Sequence, residues 1–255
     1  MIRYVPAQYR RYYIDMKGGF DEYLQKFSSK SRFTMKKKLR RFAEHSGGTI
    51  RWTTFRRPEE MSEFYRLARQ VSTTTYQERL LHAGLPTSEK AQREIHELAA
   101  ADAFRGYILW DGERPIAYLC CPIDDGVVKY AHVGYDPEFR EWSPGIVLLR
   151  LALEQLFAEK RYRAFDFTEG EGPLKEFFAS RFTECADIYF FRRKARYRAV
   201  VFVHSTLESA SRRAGSMLDR LGLKTRVKDL IRFGRVRGRA TNEEKPVAQV
   251  CEAVS

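Results

Sequence analysis

Two short stretches of this sequence carry side chains suited to holding and transforming a small charged group. In the first, Ser143, Pro144 and Gly145 open a long apolar helix that runs from Ile146 to Lys160. Ser suits an N-cap, Pro suits the first helical position, where a missing N–H costs nothing, and Gly leaves room above the helix mouth. A helix apolar nearly all round lies against a sheet and under other helices, so its N-terminal amides open into a cleft and can bind phosphate. Many helices begin this way with no ligand. In the second stretch, Asp166 alternates with Phe165 and Phe167 on a strand from Arg163 to Thr168, so its carboxylate points to the sheet face opposite those rings. It sits near the carboxyl end of that strand, where open α/β sheets bind ligands. Glu169 and Glu171 follow in the Glu-Gly-Glu-Gly-Pro loop, and His132 on the neighbouring strand titrates near neutrality. The structural alternatives are an Asp166 that caps a turn or pairs with Lys175, and a His132 that is a satisfied half-buried histidine.

The elements that must position these groups follow from periodicity. Gly106 to Trp110, Arg114 to Cys121 and Val127 to Tyr135 are runs rich in β-branched, aromatic and aliphatic residues, separated by Asp-Gly turns, and predict an antiparallel meander. Strand, phosphate-type turn, apolar helix and strand then give a right-handed crossover between parallel neighbours. A short helix from Leu174 to Phe182 and a last strand from Ala186 to Arg193 complete the body. Ahead of the meander, helices are predicted from Ser28 or Ser29 to Gly47, over Pro58 to Arg69, and over Ser88 to Ala101, with Thr73 to Leu81 as a connector or second helix. The fold class is α/β (α+β), a mixed central sheet flanked by helices. The divisions expected are an N-terminal segment with a basic helix (1–48), the main domain (49–198), basic amphipathic helices (199–239) and a loose tail (240–255).

Charge is unevenly placed. The chain of 255 residues carries a net +13, yet Lys26 to Arg41 holds eight basic residues and no acidic one, and Arg192 to Arg239 holds fifteen basic and three acidic. Two basic segments thus flank a mildly acidic body, which points to an anionic partner: nucleic acid, a phospholipid surface or a phosphate-bearing donor. The apolar stripes of Leu207 to Leu221 and Leu223 to Ile231, read with the Arg and Lys around them, suggest interfacial helices on an anionic membrane, or a stripe that closes over the body or forms a dimer seam. Apolar residues at 44% and charged ones at 31% exclude a disordered or fibrous chain. The four cysteines show no metal-ligand or disulfide spacing and read as buried or idle thiols in a reducing compartment. Without a signal-peptide pattern or a span of ~20 apolar residues, the expected location is cytoplasmic, with a peripheral site on the inner face of the cytoplasmic membrane as the further expectation.

Taken together, Arg140, Ser143 and Gly145 resemble the pyrophosphate motif of the GNAT superfamily of acyl-CoA-dependent N-acyltransferases, with Ser in place of the first Gly. Ser29-Lys30-Ser31-Arg32, Arg114 to Leu119, Gly134 to Phe139 and Phe165 to Phe178 are similar to its cellulose-biosynthesis-associated CelD/BcsL-type acetyltransferase branch, related in fold to Fem transferases; the similarity runs from about Ser29 to Arg193. The resemblance implies a GNAT-like fold and an enzyme moving an acyl group from acyl-CoA or acetyl-CoA to an amine of an envelope- or lipid-related acceptor, without a metal. It implies that backbone N–H groups of Ser143, Gly145, Ile146 and Val147 cradle the pyrophosphate while Arg140 adds charge. The strand ending at Tyr135 would pair with the pantetheine arm and offer an N–H to the thioester oxygen. Because Pro144 removes a donor and Ser143 narrows the loop, an acyl carrier protein donor stays open. Asp166, His132 and Glu169 are the candidate general bases for the amine. Tyr76, Gln77, Glu171 and Lys175 are the candidate acceptor-site residues. The competing readings are an aminoacyl-tRNA-dependent Fem-like transferase, in which tRNA accounts for the basicity, and a non-enzymatic nucleic-acid binder.

Overall fold

The computed structural model describes residues 1–75 and 84–220. Tyr76, Gln77, Cys251 and the expected second C-terminal helix and tail lie outside the described residues. Among the described residues, contacts divide the chain into two compact units, one within Arg11–Thr183, the other of Met1–Arg10 and Glu184–Arg220.

Eight strands form one mixed sheet: β1 (Ile2–Asp15), β2 (Trp52–Phe55), β3 (Phe104–Asp111), β4 (Arg114–Asp124), β5 (Val127–Lys129), β6 (His132–Tyr135), β7 (Ala164–Asp166) and β8 (Arg181–Phe191). Their order is β2-β3-β4-β5-β7-β1-β8, with β6 also on β4. β3, β4 and the strands after it form the expected antiparallel meander, and β5 pairs with β7 in parallel through the expected crossover helix. The helices are α1 (Phe20–Gln25), α2 (Ser29–His45), α3 (Met61–Ser72), α4 (Glu89–Ala100), α5 (Pro144–Ala158), α6 (Pro173–Phe178) and α7 (Ala195–Arg220).

Alternation along the strands divides the core. Tyr107, Leu109, Leu119, Phe165 and Phe167 face the layer of α1, α2 and α5, while Phe104, Ile108, Tyr118 and Cys120 face α3 and α4. β3 is therefore buried on both sides, which is why its sequence reads as an unbroken apolar run. In α5, nine residues are buried, and each large one is worth ~1.5–3 kcal/mol relative to exposure. Its far end is fixed by charge. Arg105, only 1% exposed, pairs with Glu159 just beyond α5 and with Asp102, and Tyr162 donates to Glu159 at 2.6 Å. Burial alone would raise the Glu159 carboxyl, but the hydrogen bonds from Arg105 and Tyr162 outweigh it and hold it below its ordinary value.

Two strands, the short helix α1 and two boundaries depart from the sequence reading. β1 departs because its alternation of buried Tyr12 and Ile14 with Arg11, Tyr13 and Asp15 covers only its last five residues, and Ile2 to Arg10 holds no buried position. β2 is only four residues long. The helix over Leu174 to Phe182 ends instead at Phe178, and the last strand starts at Arg181 instead of Ala186. The reason is long-range pairing: Ser180 N–H donates to Tyr13 O at 3.0 Å, and the Ser180 hydroxyl accepts Asp15 N–H at 2.7 Å.

Gly106 marks the closest packing between β3 and α3, since a Cβ there would stand 2.7 Å from the Phe64 ring. Gly106→Ala should therefore cost ~1–3 kcal/mol by overpacking, read as a lower urea midpoint at unchanged slope. An unchanged midpoint would show that Phe64 has space to move.

Candidate functional site

The site begins with a fault in a strand. β5 pairs with β4 in the register Ile123↔Val128, whereas β6 pairs with it as Cys120↔His132, so one extra residue is taken up at Tyr130-Ala131. This is a β-bulge, which re-aims side chains and ends regular pairing. Before it, Val128 and Tyr130 point into the α5 layer; after it, Val133 and Tyr135 do. The expected continuous strand Val127 to Tyr135 would have put His132 on the α5 side with Tyr130. The bulge moves it to the opposite face, the one that carries Asp166.

The bulge also opens the sheet. Tyr130 N–H donates to Asp166 O at 2.8 Å, and Ala131 N–H then turns to Cys120 O at 3.1 Å. Past that point β6 follows β4 and leaves β7. Asp136 N–H donates to Ile116 O at 2.8 Å, so by strand alternation the Val133 and Tyr135 amides point away from β4, toward the opened edge.

At the end of β6 the chain makes a tight turn, Pro137–Trp142, before α5. Buried Asp136 caps this turn through Glu138 N–H at 3.0 Å and is paired with Arg114 at the β3-β4 hairpin. From the other side, His45 at the end of α2 stacks on Trp142 at 3.9 Å. Ser143 follows in the left-handed region, φ 54° and ψ 50°, a conformation that costs a non-glycine residue ~1–2 kcal/mol. Its hydroxyl does not cap α5. It accepts instead from Lys38 Nζ at 2.7 Å, which brings an α2 ammonium to the helix mouth.

The expected backbone cradle is largely closed by the turn itself. Ser143 N–H donates to Arg140 O at 3.1 Å, Ile146 and Val147 N–H both donate to Ser143 O at 3.0 and 3.1 Å, and Pro144 has none. Gly145 remains as the amide of this turn that is not engaged within it. A pyrophosphate at this mouth would be held more by the side-chain cations Lys38 and Arg140 and the α5 dipole than by a row of amides.

On β7, Asp166 is 6% exposed and is not a free carboxylate. Arg11 of β1 grips both oxygens, with Nε at 2.9 and 3.2 Å, and Thr168 N–H donates to Oδ1 at 2.9 Å. Thr168, β-branched yet at φ 61°, is a backbone outlier at the point where the chain leaves the sheet. Lys175 Nζ closes the following loop on Glu169 O at 2.5 Å. Burial lowers its pKa, opposed by the Asp166 and Glu169 charges. The Glu169 and Glu171 side chains are exposed. His132 is half-buried, and burial lowers its pKa, so the imidazole is neutral at pH 7.

The structure thus brings His132 and Asp166 to one face, and Arg140, Ser143, Gly145, Ile146 and Val147 to one turn at the adjoining sheet end. The sequence reading missed Arg11, Thr168 and Lys38. A signal for Lys38 was available: it stands three residues after Met35 and four before Phe42, both buried, so it lies at the edge of the face that α2 turns to the core.

A comparison with curated proteins gave no match. Among solved structures, the C-terminal domain (DUF2156) of a putative lysylphosphatidylglycerol synthetase from Agrobacterium fabrum superposes with a TM-score of 0.52 at 12% identity, over 81% of this chain and 66% of that one. L-PGS from Bacillus licheniformis gives 0.49 at 13% identity over 80% and 66%, and FemX 0.43 at 11% over 63% and 53%. The chain spans about two thirds of the length of the first two structures and about half of the third. The profile of the acetyltransferase (GNAT) domain matches residues 29–176, more than half of the sequence. With the mixed sheet, the crossover onto α5 and the opened β6 edge in place, the chain belongs to the GNAT acetyltransferase domain family.

Proposed function

We propose that this protein transfers an acyl group from acyl-CoA, or another phosphopantetheine thioester, to an amine of an envelope- or lipid-related acceptor. The observation that carries this reading is the bulge at Tyr130-Ala131, which leaves the β6 edge open beside the α5 mouth. An extended thioester arm fits such an edge as an added strand, with the Val133 or Tyr135 amide as a donor to the thioester oxygen. Lys38 and Arg140 would hold the phosphates. The motif resemblance supports the CelD/BcsL-type branch and, with it, the acceptor class and a cytoplasmic enzyme that works at a membrane face.

Among the candidate bases, His132 has the properties the step requires. The amine nitrogen attacks the thioester carbonyl, its proton passes to the neutral imidazole, and the C–S bond breaks to release a thiolate that takes up the proton. Asp166, with its oxygens committed to Arg11 and Thr168, positions the end of β7. Glu169 is exposed in the loop, where water competes for its proton. Lys175, with Glu171 nearby in sequence, would hold an anionic group of the acceptor.

A second reading is favoured by the outer face of α2, where Lys30, Lys36, Lys37 and Arg40 are exposed around Phe33, itself 65% exposed. This cationic face is larger than a nucleotide donor needs and suits an aminoacyl-tRNA donor.

Three measurements test this. CoA or acyl-CoA should raise the melting temperature by mass action, and Lys38→Glu should abolish most of that shift while Lys90→Glu, on exposed α4, leaves it intact. Stabilisation by tRNA and not by CoA would establish the second reading. If His132 takes the proton, kcat/KM should be level around pH 7 and fall with acid at a pH below the ordinary histidine value, because burial lowers the pKa. His132→Gln should abolish that limb and lower turnover by ~10²-fold or more. An unchanged profile would return the role to Asp166 or Glu169. For Asp166 itself, Arg11→Met should cost ~1–3 kcal/mol by leaving a buried acceptor unsatisfied, more than Asp166→Asn, which keeps the Thr168 bond and leaves an Arg11 that water can solvate. The reverse order would show that Asp166 is not held as a paired carboxylate.

A further inference from the structure

α1, α2 and α5 enclose a cleft of about 370 Å³ that none of the site residues described above lines. Arg150 lines it from α5, six residues and so about 9 Å along the helix from Pro144. The Arg150 side chain is 14% exposed, and its guanidinium lies over the Phe20 ring, 4.0 Å from the ring centre. A guanidinium carries five N–H donors. Nη1 donates to Glu154 at 2.8 Å, and among the described residues no other acceptor takes the rest. Glu154 itself is 57% exposed, so the acid stays in water while the cation is withdrawn into the cleft.

Two more cations line the cleft from α2. Arg32 belongs to the Ser29-Lys30-Ser31-Arg32 stretch, which the acyl-transfer reading leaves without a role, and Lys36 follows it four residues on, on the same side of the helix. Arg32 has one long hydrogen bond, to Ser29 Oγ at 3.4 Å, and Lys36 has no hydrogen-bond or ion-pair partner among the described residues. Asp21 of α1 also lines the cleft and pairs with none of the three. Like charges four apart on a helix repel, and an anion between them removes that cost. Against Asp21 the three cations leave two positive charges in excess. That excess matches a phosphate ester, which carries about −1.5 to −2 at pH 7, better than a carboxylate, and a guanidinium fork takes phosphate oxygens in pairs. The cleft is larger than a phosphate alone and falls in the range of small-molecule sites, about 300–1,000 Å³. Leu24 and Met35 give it an apolar wall for an attached organic body.

We infer that this cleft binds the phosphomonoester of a small organic molecule, with Arg150 gripping the phosphate and Arg32 and Lys36 beside it from α2. The site stands apart from the acyl-transfer reading. Its phosphate is either a further group of a donor whose pyrophosphate lies at the α5 mouth or part of a separate ligand.

Inorganic phosphate, titrated into the full chain against chloride at fixed ionic strength so that diffuse screening is the same throughout, should raise the melting temperature, and the concentration dependence of that rise gives the affinity. Arg150→Met, which keeps an apolar chain over Phe20, and Lys36→Gln, at an exposed position, should each weaken phosphate binding about tenfold or more. Glu154→Gln should tighten it, because the acid competes for the guanidinium; an Arg150 held only for packing would show no gain. A response no greater than that to chloride would overturn the proposal, as would one that Lys38→Met abolishes and Arg150→Met leaves intact, which places the anion at the α5 mouth. Dephospho-CoA, which keeps the pyrophosphate of CoA and lacks its phosphomonoester, identifies the source. Tighter binding of CoA than of dephospho-CoA, with the difference erased in Arg150→Met, assigns the phosphate to the donor. Equal binding of the two, with phosphate still bound beside them, assigns it to a separate ligand. Phosphate binding lost in Arg150→Met, with no response to either form of CoA, would sustain the cleft and count against the donor reading alone.

Discussion

The hydrogen bond from Tyr130 N–H to Asp166 O closes the parallel pairing of β5 and β7, and the candidate site depends on its being the last rung. Had the ladder continued, the β6 amides would be spent on β7 and His132 would lie with Tyr130 in the α5 core. Two local features end it there. The extra residue at the bulge turns Ala131 back to β4, and Thr168, two residues beyond Asp166, turns β7 away through a left-handed backbone. Neither is favourable by itself. Arg11 across the sheet and the Thr168 amide hold the end of β7 by the Asp166 carboxylate, so the strain is stored between fixed points.

The turn into α5 is built on the same principle. A left-handed residue before the helix is easiest for glycine, and this chain has Ser143 there. Serine is strained there, but its hydroxyl gains a charged donor in Lys38, and the turn is clamped by Arg114 on Asp136 and by His45 on Trp142. The exchange alters the mouth itself: the Ile146 and Val147 amides fold onto Ser143 O, and the Lys38 ammonium stands beside the Ser143 hydroxyl. Charge from a long side chain is less fixed in geometry than a backbone amide, and it tolerates more variety in what it holds.

Much of this was legible in the sequence because it is local. The apolar α5, its Ser-Pro-Gly opening, the Asp-Gly hairpins and the alternation of Phe165, Asp166 and Phe167 are all read within a few residues. What was not legible joins distant parts of the chain. Arg11 meets Asp166 across 155 positions, and β1 takes its place in the sheet through pairing with β7 and β8, elements more than 140 residues away. The bulge shows a faint local trace, in that apolar residues shift from even positions, Val128 and Tyr130, to odd ones, Val133 and Tyr135. A single run of apolar residues conceals that shift of phase, and with it the side to which His132 turns.

Net charge, read as one property from composition, separates in the structure into two physical roles. On α2 the core claims Met35 and Phe42, so helical geometry sends Lys30, Lys36, Lys37 and Arg40 outward and leaves Lys38 at the flank beside the α5 mouth. Position on the helix, not the number of cations, decides which one takes part in the site. On α7 the same logic runs the other way: Val203 and Leu207 are among the large apolar side chains exposed there. Composition alone therefore locates neither the one cation of α2 that reaches the α5 mouth nor the apolar surface of α7.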